Sequence, residues 1–144
     1  MKSRYRGFTL IELLVVLALI AVASGLVSLA IWDPNATALE QEAARLAALL
    51  ESARAEARAS GLLVRWEPHG SGGSKEFRFT GLPTSVQMPA KWLAPGVSAE
   101  VVGAGAVVLG PEPLIGAQRI VLSIEDRHLT LVTDGLGPFE VVNE

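Results

Sequence analysis

The chain has 144 residues, a mass of 15.2 kDa, a formal net charge of −3 and no cysteine. This length fits one domain of ordinary size, and the lack of cysteine excludes a disulfide scaffold, a thiol nucleophile and a Cys-ligated zinc site. The acidic balance argues against broad nucleic-acid binding, which depends on Lys and Arg side chains that neutralise phosphates.

A short basic leader opens the chain. Residues 1–7 carry Lys2, Arg4 and Arg6 and no acid, whereas residues 8–144 carry nine basic and fifteen acidic side chains. Positive charge beside an apolar segment is typical of the cytoplasmic side of a membrane. We therefore expect the N-terminus in the cytoplasm and the acidic head, residues 32–144, on the other side of the cytoplasmic membrane.

An apolar segment follows the leader over residues 8–31, where 19 of 24 residues are apolar. A helix of this length reaches about 36 Å, which is enough to cross a hydrocarbon core of about 30 Å. The pattern predicts a single-pass transmembrane helix. Two alternatives are a plain anchor and a signal peptide cleaved after Ala21-Val22-Ala23.

Glu12 stands out within this segment because it is a carboxylate in an otherwise uncharged run. A charge at mid-membrane costs about 2.5–3.5 kcal/mol on the insertion scale, and less near the interface. Neither a signal peptide nor an inert anchor requires this cost. Glu12 is therefore predicted to be a functional residue that needs a partner.

The run Gly7-Phe8-Thr9-Leu10-Ile11-Glu12, between the basic leader and Leu13–Leu17, resembles the class III signal of type IV pilins and type II secretion pseudopilins. The resemblance implies that a prepilin peptidase in the membrane cleaves between Gly7 and Phe8 and methylates the new N-terminus, which gives N-methylphenylalanine at Phe8. It also implies that residues 8–31 are the assembly helix in the inner membrane, that the head lies in the periplasm, and that Glu12 acts in assembly. Its carboxylate would pair with the Phe8 amine of a neighbouring subunit, and pairing offsets the cost of placing either charge in lipid.

A second helix is predicted over residues 37–60, after a bend or restart at Asp33-Pro34. Gly61 is placed to end it. The charged residues that lie one turn apart on this helix, Glu42 with Arg45 and Glu51 with Arg54, are expected on its wetter side. An apolar stripe recurs at helical spacing and consists of Leu39, Ala43, Leu46, Leu50, Ala53 and Ala57. We expect the stripe to pack on the chain's own sheet, with a partner-helix surface as the alternative.

The sheet region extends over residues 62–144. Its predicted strands are a hairpin of 62–66 with 76–80, a second pair of 97–102 with 106–109, a third pair of 120–124 with 129–131 across a turn at Asp126-Arg127, and a last strand at 138–142. The predicted fold class is α+β, a long N-terminal helix packed on an antiparallel β-sheet head.

The order of elements after residue 40 resembles the GspH-type minor pseudopilins of type II secretion. The residues that carry this likeness are the helix that ends at Gly61, the strand directly after it, Pro95-Gly96-Val97 at a strand entry, and the closing hairpin over 129–142. The resemblance implies a pilin-like fold and a place at the tip of the pseudopilus, with pseudopilins of the I, J and K types and the major G type as partners. A minor type IV pilin that acts in pilus priming or DNA uptake is the alternative.

No arrangement of residues predicts catalysis. His69 and His128 lie in a loop and beside a turn, and the segment Gly70–Lys75 lacks the spacing of a phosphate-binding loop. Asp126 and Asp134 are eight residues apart with a strand between them, so no structural calcium is expected. We predict no enzyme activity, no cofactor, no metal, no small-molecule substrate and no nucleic-acid partner.

Overall fold

A computed structural model describes residues 8–30, 33–69 and 76–142. The chain divides into two compact units, Met1–Asp33 and Pro34–Glu144. The predicted leader and most of the tip of the first hairpin lie outside the described residues.

The N-terminal unit contains helix α1, Leu10–Ala30. The apolar side chains described along it, from Leu10 to Val22, are exposed within the unit. No helix among the described residues combines the length and the apolar character that a membrane crossing requires. The transmembrane helix over residues 8–31 stays a prediction.

Helix α2 extends over Pro34–Ser60, so it begins at the predicted Asp33-Pro34 restart and not at residue 37. Proline suits a first helical position because the amide it lacks would have no partner within the helix. The helix ends before Gly61, whose φ of +68° lies in the left-handed region that glycine adopts at low cost. All six residues of the predicted apolar stripe are buried. This confirms that α2 packs on its own sheet region.

Two antiparallel sheets complete the head. Their strands are β1 (Arg65–Pro68), β2 (Phe77–Thr80), β3 (Val97–Val101), β4 (Val107–Val108), β5 (Gln118–Ile124), β6 (Arg127–Thr133) and β7 (Glu140–Val142). One sheet has the order β2-β1-β4 and the other the order β3-β5-β6-β7. The predicted α+β class, a helix packed on antiparallel sheets, is confirmed.

The predicted pairing of β3 with β4 is wrong. Strand β3 pairs along its full length with β5, from Val97 opposite Ile124 to Val101 opposite Ile120. Strand β4 instead pairs with β1, where Val107 lies opposite Trp66. The glycine-rich segment between β3 and β4 therefore connects the two sheets and is not a hairpin turn. Each strand pairs with a strand from a distant part of the chain, β3 with β5 and β4 with β1.

The other two hairpins form as predicted, with shifted bounds. Strand β1 pairs with β2, and its ladder lies nearer the loop than expected, at Arg65–Pro68. Strand β5 pairs with β6 across Glu125 and Asp126, because Ile124 lies opposite Arg127. This turn is one residue earlier than predicted. The last strand, β7, joins the edge of the same sheet beside β6.

Gln118, the first residue of β5, links the two sheets. Its side-chain oxygen accepts a hydrogen bond from the Val108 amide at 2.7 Å, and its side-chain nitrogen donates to the Val108 carbonyl at 2.8 Å. Strand β4 is an edge strand, and an edge leaves backbone groups without a ladder partner. At Val108 the side-chain amide of Gln118 is the partner of these backbone groups.

We expect Gln118→Met to lower the free energy of unfolding by about 1–2 kcal/mol, because it removes two hydrogen bonds and keeps the side-chain size. The measurement is urea unfolding of the full chain in a Trp32→Phe background, followed by the fluorescence of Trp66 and Trp92, which are buried. Gln118→Glu, which keeps an acceptor and loses the donor, serves as the intermediate control. A Gln118→Met variant as stable as the parent would show that the link contributes nothing.

Candidate processing and assembly site

Phe8 and Thr9 precede α1 and are not helical. The Phe8 side chain is 77% exposed, so no described part of the chain covers the residue predicted to become the N-terminus. Gly7, on the other side of the predicted cleavage site, lies outside the described residues. Cleavage between Gly7 and Phe8 and methylation of Phe8 remain predictions.

Thr9 caps the first turn of α1. The Glu12 amide donates to the Thr9 carbonyl at 3.0 Å and lies 3.4 Å from the Thr9 hydroxyl oxygen, and the Leu13 amide donates to the same carbonyl at 3.2 Å. A threonine followed three positions later by a glutamate is the sequence of a capping box. The spacing from Thr9 to Glu12 was the signal for this cap, and the sequence prediction missed it.

Glu12 therefore has a local environment that tolerates its charge. It occupies the third helical position, where the positive end of the helix dipole favours a carboxylate. Its side chain is exposed, so the carboxylate is also accessible to a group outside the chain. A structural role in capping and the predicted assembly role are both compatible with this geometry, and they differ in whether the negative charge is needed.

Comparison with known proteins bears on both units. A sequence model of the prokaryotic N-terminal methylation motif matches residues 2–31, which include Gly7, Phe8 and Glu12. The crystal structure of the type IV minor pilin FimU from Pseudomonas aeruginosa is similar to this chain with a TM-score of 0.56 and 13% sequence identity, over 73% of this chain and 88% of FimU. The chain carries a methylation motif on a pilin fold. No curated protein sequence matches it significantly.

Two charged side chains of α2 lie inside the head, which corrects their predicted place on the wetter side of the helix. Glu42 is only 2% exposed. Its carboxylate accepts hydrogen bonds from the amides of Leu93 and Ala94, and it also pairs with Arg45 at 3.2 Å. Arg45 donates in turn to the Lys91 carbonyl at 3.0 Å. Glu42 and Arg45 together attach the segment before β3 to the helix.

Arg54 makes the equivalent attachment near the other end of α2. It is 1% exposed and donates to the carbonyl oxygens of Gly135 at 2.6 Å and Gly137 at 2.7 Å. Its neighbour Glu51, 3.6 Å away, accepts a hydrogen bond from the Phe139 amide at 3.2 Å. The loop between β6 and β7 is thereby fixed to the helix through side chains on two successive turns.

The residues considered for a metal or acid–base site are not brought together. The exposed His128 has its Nδ1 2.9 Å from the Ser123 hydroxyl, and Asp126 lies in the adjoining turn. Asp134 follows the opposite end of β6, a seven-residue strand of about 20 Å. Within the described ranges, no group of three or more His, Cys, Asp or Glu side chains is placed to hold a metal ion.

Asp134 folds its carboxylate back onto its own loop. Oδ1 accepts hydrogen bonds from the Gly137 amide at 2.8 Å and the Leu136 amide at 2.9 Å. Bonds to the ionised form stabilise it, and these two hold the pKa of Asp134 below its ordinary value of 3.8.

A lowered pKa means that the ionised form stabilises the folded loop. This contribution is fully present above the pKa of the unfolded chain and is lost as the pH falls through the lower folded value. We expect a nuclear magnetic resonance titration of the full chain to place the Asp134 midpoint below 3.8, and Asp134→Asn to reduce the loss of stability in acid below about pH 4. A midpoint at or above the ordinary value would contradict the hydrogen-bonded turn.

Proposed function

We propose that this chain is a minor pseudopilin of a type II secretion system, incorporated at the tip of the periplasmic pseudopilus that drives export of folded proteins across the outer membrane. The observation that carries the proposal is the methylation motif over residues 2–31 on a chain with a pilin fold. In this proposal the role of the chain is structural, and the cleavage and methylation reactions are carried out by the peptidase that processes it.

Processing is the first step of the proposal. A prepilin peptidase cleaves between Gly7 and Phe8, removes the basic leader and methylates Phe8. Phe8 and Thr9 are exposed and precede the helix, which supports this step because a peptidase needs access to the chain on both sides of the bond that it cleaves. The apolar segment 8–31 then holds the mature chain in the inner membrane as a single-pass helix, with the head in the periplasm.

Assembly is the second step. Cleavage creates an amine on Phe8, four residues before the Glu12 carboxylate. When a neighbouring subunit adds to the fibre, its amine pairs with this carboxylate, so that neither charge stays alone in lipid and the axial position of the subunit is fixed. The partners are the prepilin peptidase, the pseudopilins of the I, J and K types, and the major G type.

A minor type IV pilin that acts in pilus priming or DNA uptake is the second candidate, because the similar solved structure is a minor pilin of a type IV pilus. At 13% identity this likeness concerns the fold. DNA uptake by the head is disfavoured by charge, because residues 32–144 contain nine basic and fourteen acidic side chains and DNA binding requires a basic surface.

The two candidates are separated by deleting the gene and restoring it, with two readouts in the same strain. The pseudopilin proposal predicts loss of a folded exoprotein from the medium, normal surface pili, and co-purification of the tagged full chain with I-, J- and K-type pseudopilins. Normal secretion with lost pili or lost DNA uptake would overturn it. Salt-dependent DNA binding by the purified chain would favour the DNA-uptake form of the second candidate.

A further inference from the structure

Residues 89–95, which lie between β2 and β3, form an apolar loop that we name the Leu93 loop. Leu93 is 76% exposed although its side chain is large and apolar. Its neighbour Trp92 is buried and packs on Phe77, with the ring centroids 4.7 Å apart. One side chain therefore anchors the loop in the core, and the next one is presented to the surroundings of the head.

The backbone polar groups on both sides of Leu93 have partners inside the head. The Glu42 carboxylate accepts hydrogen bonds from the amides of Leu93 and Ala94. Arg45 donates to the Lys91 carbonyl at 3.0 Å. These groups are satisfied without water, so the backbone at this point can leave water without losing hydrogen bonds.

The two ends of the loop need little water as well. The Phe77 amide donates to the Ala90 carbonyl at 2.9 Å. Pro89 and Pro95 have no amide hydrogen that requires a partner. Because backbone groups without a partner are costly in lipid, a loop of this kind enters a membrane interface at a lower cost than an ordinary loop.

The charge of this part of the chain differs from that of the rest of the head. Residues 32–144 contain nine basic and fourteen acidic side chains, whereas residues 81–96 contain one lysine and no acid. That lysine, Lys91, lies 3.9 Å from the Glu76 carboxylate, so it is already paired and is not required to bind a phosphate. The loop presents an apolar side chain without a carboxylate of its own, which anionic lipids would repel.

The covalent chain keeps the Leu93 loop close to the predicted membrane segment. From residue 31, where that segment ends, the three residues to Pro34 span at most about 11 Å. Ala38 lies about 6 Å further along α2, and it lines the same recess of about 220 Å³ as Leu93. The loop is thus on the order of 25 Å or less from the end of the segment, so a lipid surface is a partner that the chain itself brings near.

We propose that the Leu93 loop contacts the membrane in which the chain is anchored, with Leu93 inserted at the level of the lipid headgroups. The membrane segment and the inserted leucine then hold the head at two points, which limits its rotation before it enters a fibre. This inference rests on the proposed membrane segment, residues 8–31, and adds a lipid-contacting surface on the head.

The lack of native cysteine permits a site-specific test with the full chain in vesicles of phosphatidylethanolamine and phosphatidylglycerol that contain spin-labelled lipid. Leu93→Cys, Leu114→Cys and Ile20→Cys each carry an environment-sensitive fluorophore. Leu114 is the matched control because it is 64% exposed and follows Pro113, whose carbonyl accepts from Arg58, about 36 Å from the start of α2. We expect the spin-labelled lipid to quench the fluorophore at position 93 several-fold more than at position 114.

Ile20→Cys reports separately on the membrane segment. Strong quenching at position 20, with no more quenching at position 93 than at position 114, overturns the membrane contact alone. No quenching at position 20 overturns the membrane segment and the contact together.

A second pair of variants tests the Leu93 side chain itself. The fluorophore is placed at Ala90→Cys, an exposed position of the same loop. Leu93→Asp is expected to reduce its quenching to the level of position 114, because a carboxylate opposes insertion, whereas Leu114→Asp leaves it unchanged. Quenching at position 90 that persists in Leu93→Asp overturns the insertion of Leu93.

Discussion

Replacing Glu12 with glutamine is expected to leave the chain inserted and cleaved after Gly7 but to prevent its incorporation into a fibre. Glutamine retains the side-chain shape and, like glutamate, suits the third position of a capping box. The substitution therefore removes the negative charge while keeping the local cap formed with Thr9. An unpaired amine in lipid costs about 3 kcal/mol, which corresponds to roughly 100-fold in an assembly equilibrium.

The measurement is the fraction of processed chain that co-purifies with the assembled fibre. Thr9→Ala is the matched control, because it removes the hydroxyl cap and keeps the Glu12 charge. We expect Thr9→Ala to assemble nearly as well as the parent. Normal assembly of Glu12→Gln, together with a defect in Thr9→Ala, would mean that Glu12 serves the helix terminus and that charge pairing is not its role.

Arg54→Met is expected to lower the free energy of unfolding by about 3 kcal/mol, because the carbonyls of Gly135 and Gly137 lose their charged donor inside the head. Methionine fills much of the same volume, so the loss reflects the hydrogen bonds more than a cavity. The same substitution also releases the loop between β6 and β7.

Arg58→Met, one turn further along α2, is the matched control. Arg58 donates to the Pro113 carbonyl at 3.3 Å in an exposed position, so its replacement is expected to cost less than about 1 kcal/mol. Both variants are measured by urea unfolding in the Trp32→Phe background, with Trp66 and Trp92 as reporters. If the two substitutions lowered the free energy of unfolding equally, the buried position of Arg54 would make no additional contribution to stability.

The sequence predicted those features of the fold that have a local signal. The apolar stripe of α2, its start at Pro34 and its end before Gly61 all follow from spacing and from the backbone preferences of proline and glycine. The hairpin at Glu125-Asp126 has a two-residue connection, and the hairpin around 69–76 joins two strands that are consecutive in the chain. In each case the residues that decide the structure are neighbours in the chain.

Features that depend on distant partners were missed. The segment Gly103–Gly105 has the composition of a hairpin turn, but the partners of β3 and β4 lie in other parts of the chain. Glu42 and Arg54 belong to ion pairs at three-residue spacing, a pattern that looks the same on a solvated helix face. Arg54 is buried because it donates to two backbone carbonyls that lie 81 and 83 residues further along the chain. Backbone acceptors of this kind cannot be recognised from the pattern of side chains.

The candidate site could be proposed from the sequence because its motif is contiguous. The methylation motif covers all three of its residues, Gly7, Phe8 and Glu12, which lie within the eleven residues that begin at Lys2. The Thr9 cap has a local signal too, because a threonine three residues before a glutamate is the sequence of a capping box and glutamate is favoured near a helix start.

Mass spectrometry of the mature chain isolated from membranes tests the central claim most directly. Processing by a prepilin peptidase predicts an N-terminal peptide that begins at Phe8 and carries one methyl group on its amine. A mature chain that begins at Ser24, or one that retains Met1 and the basic leader, would contradict it.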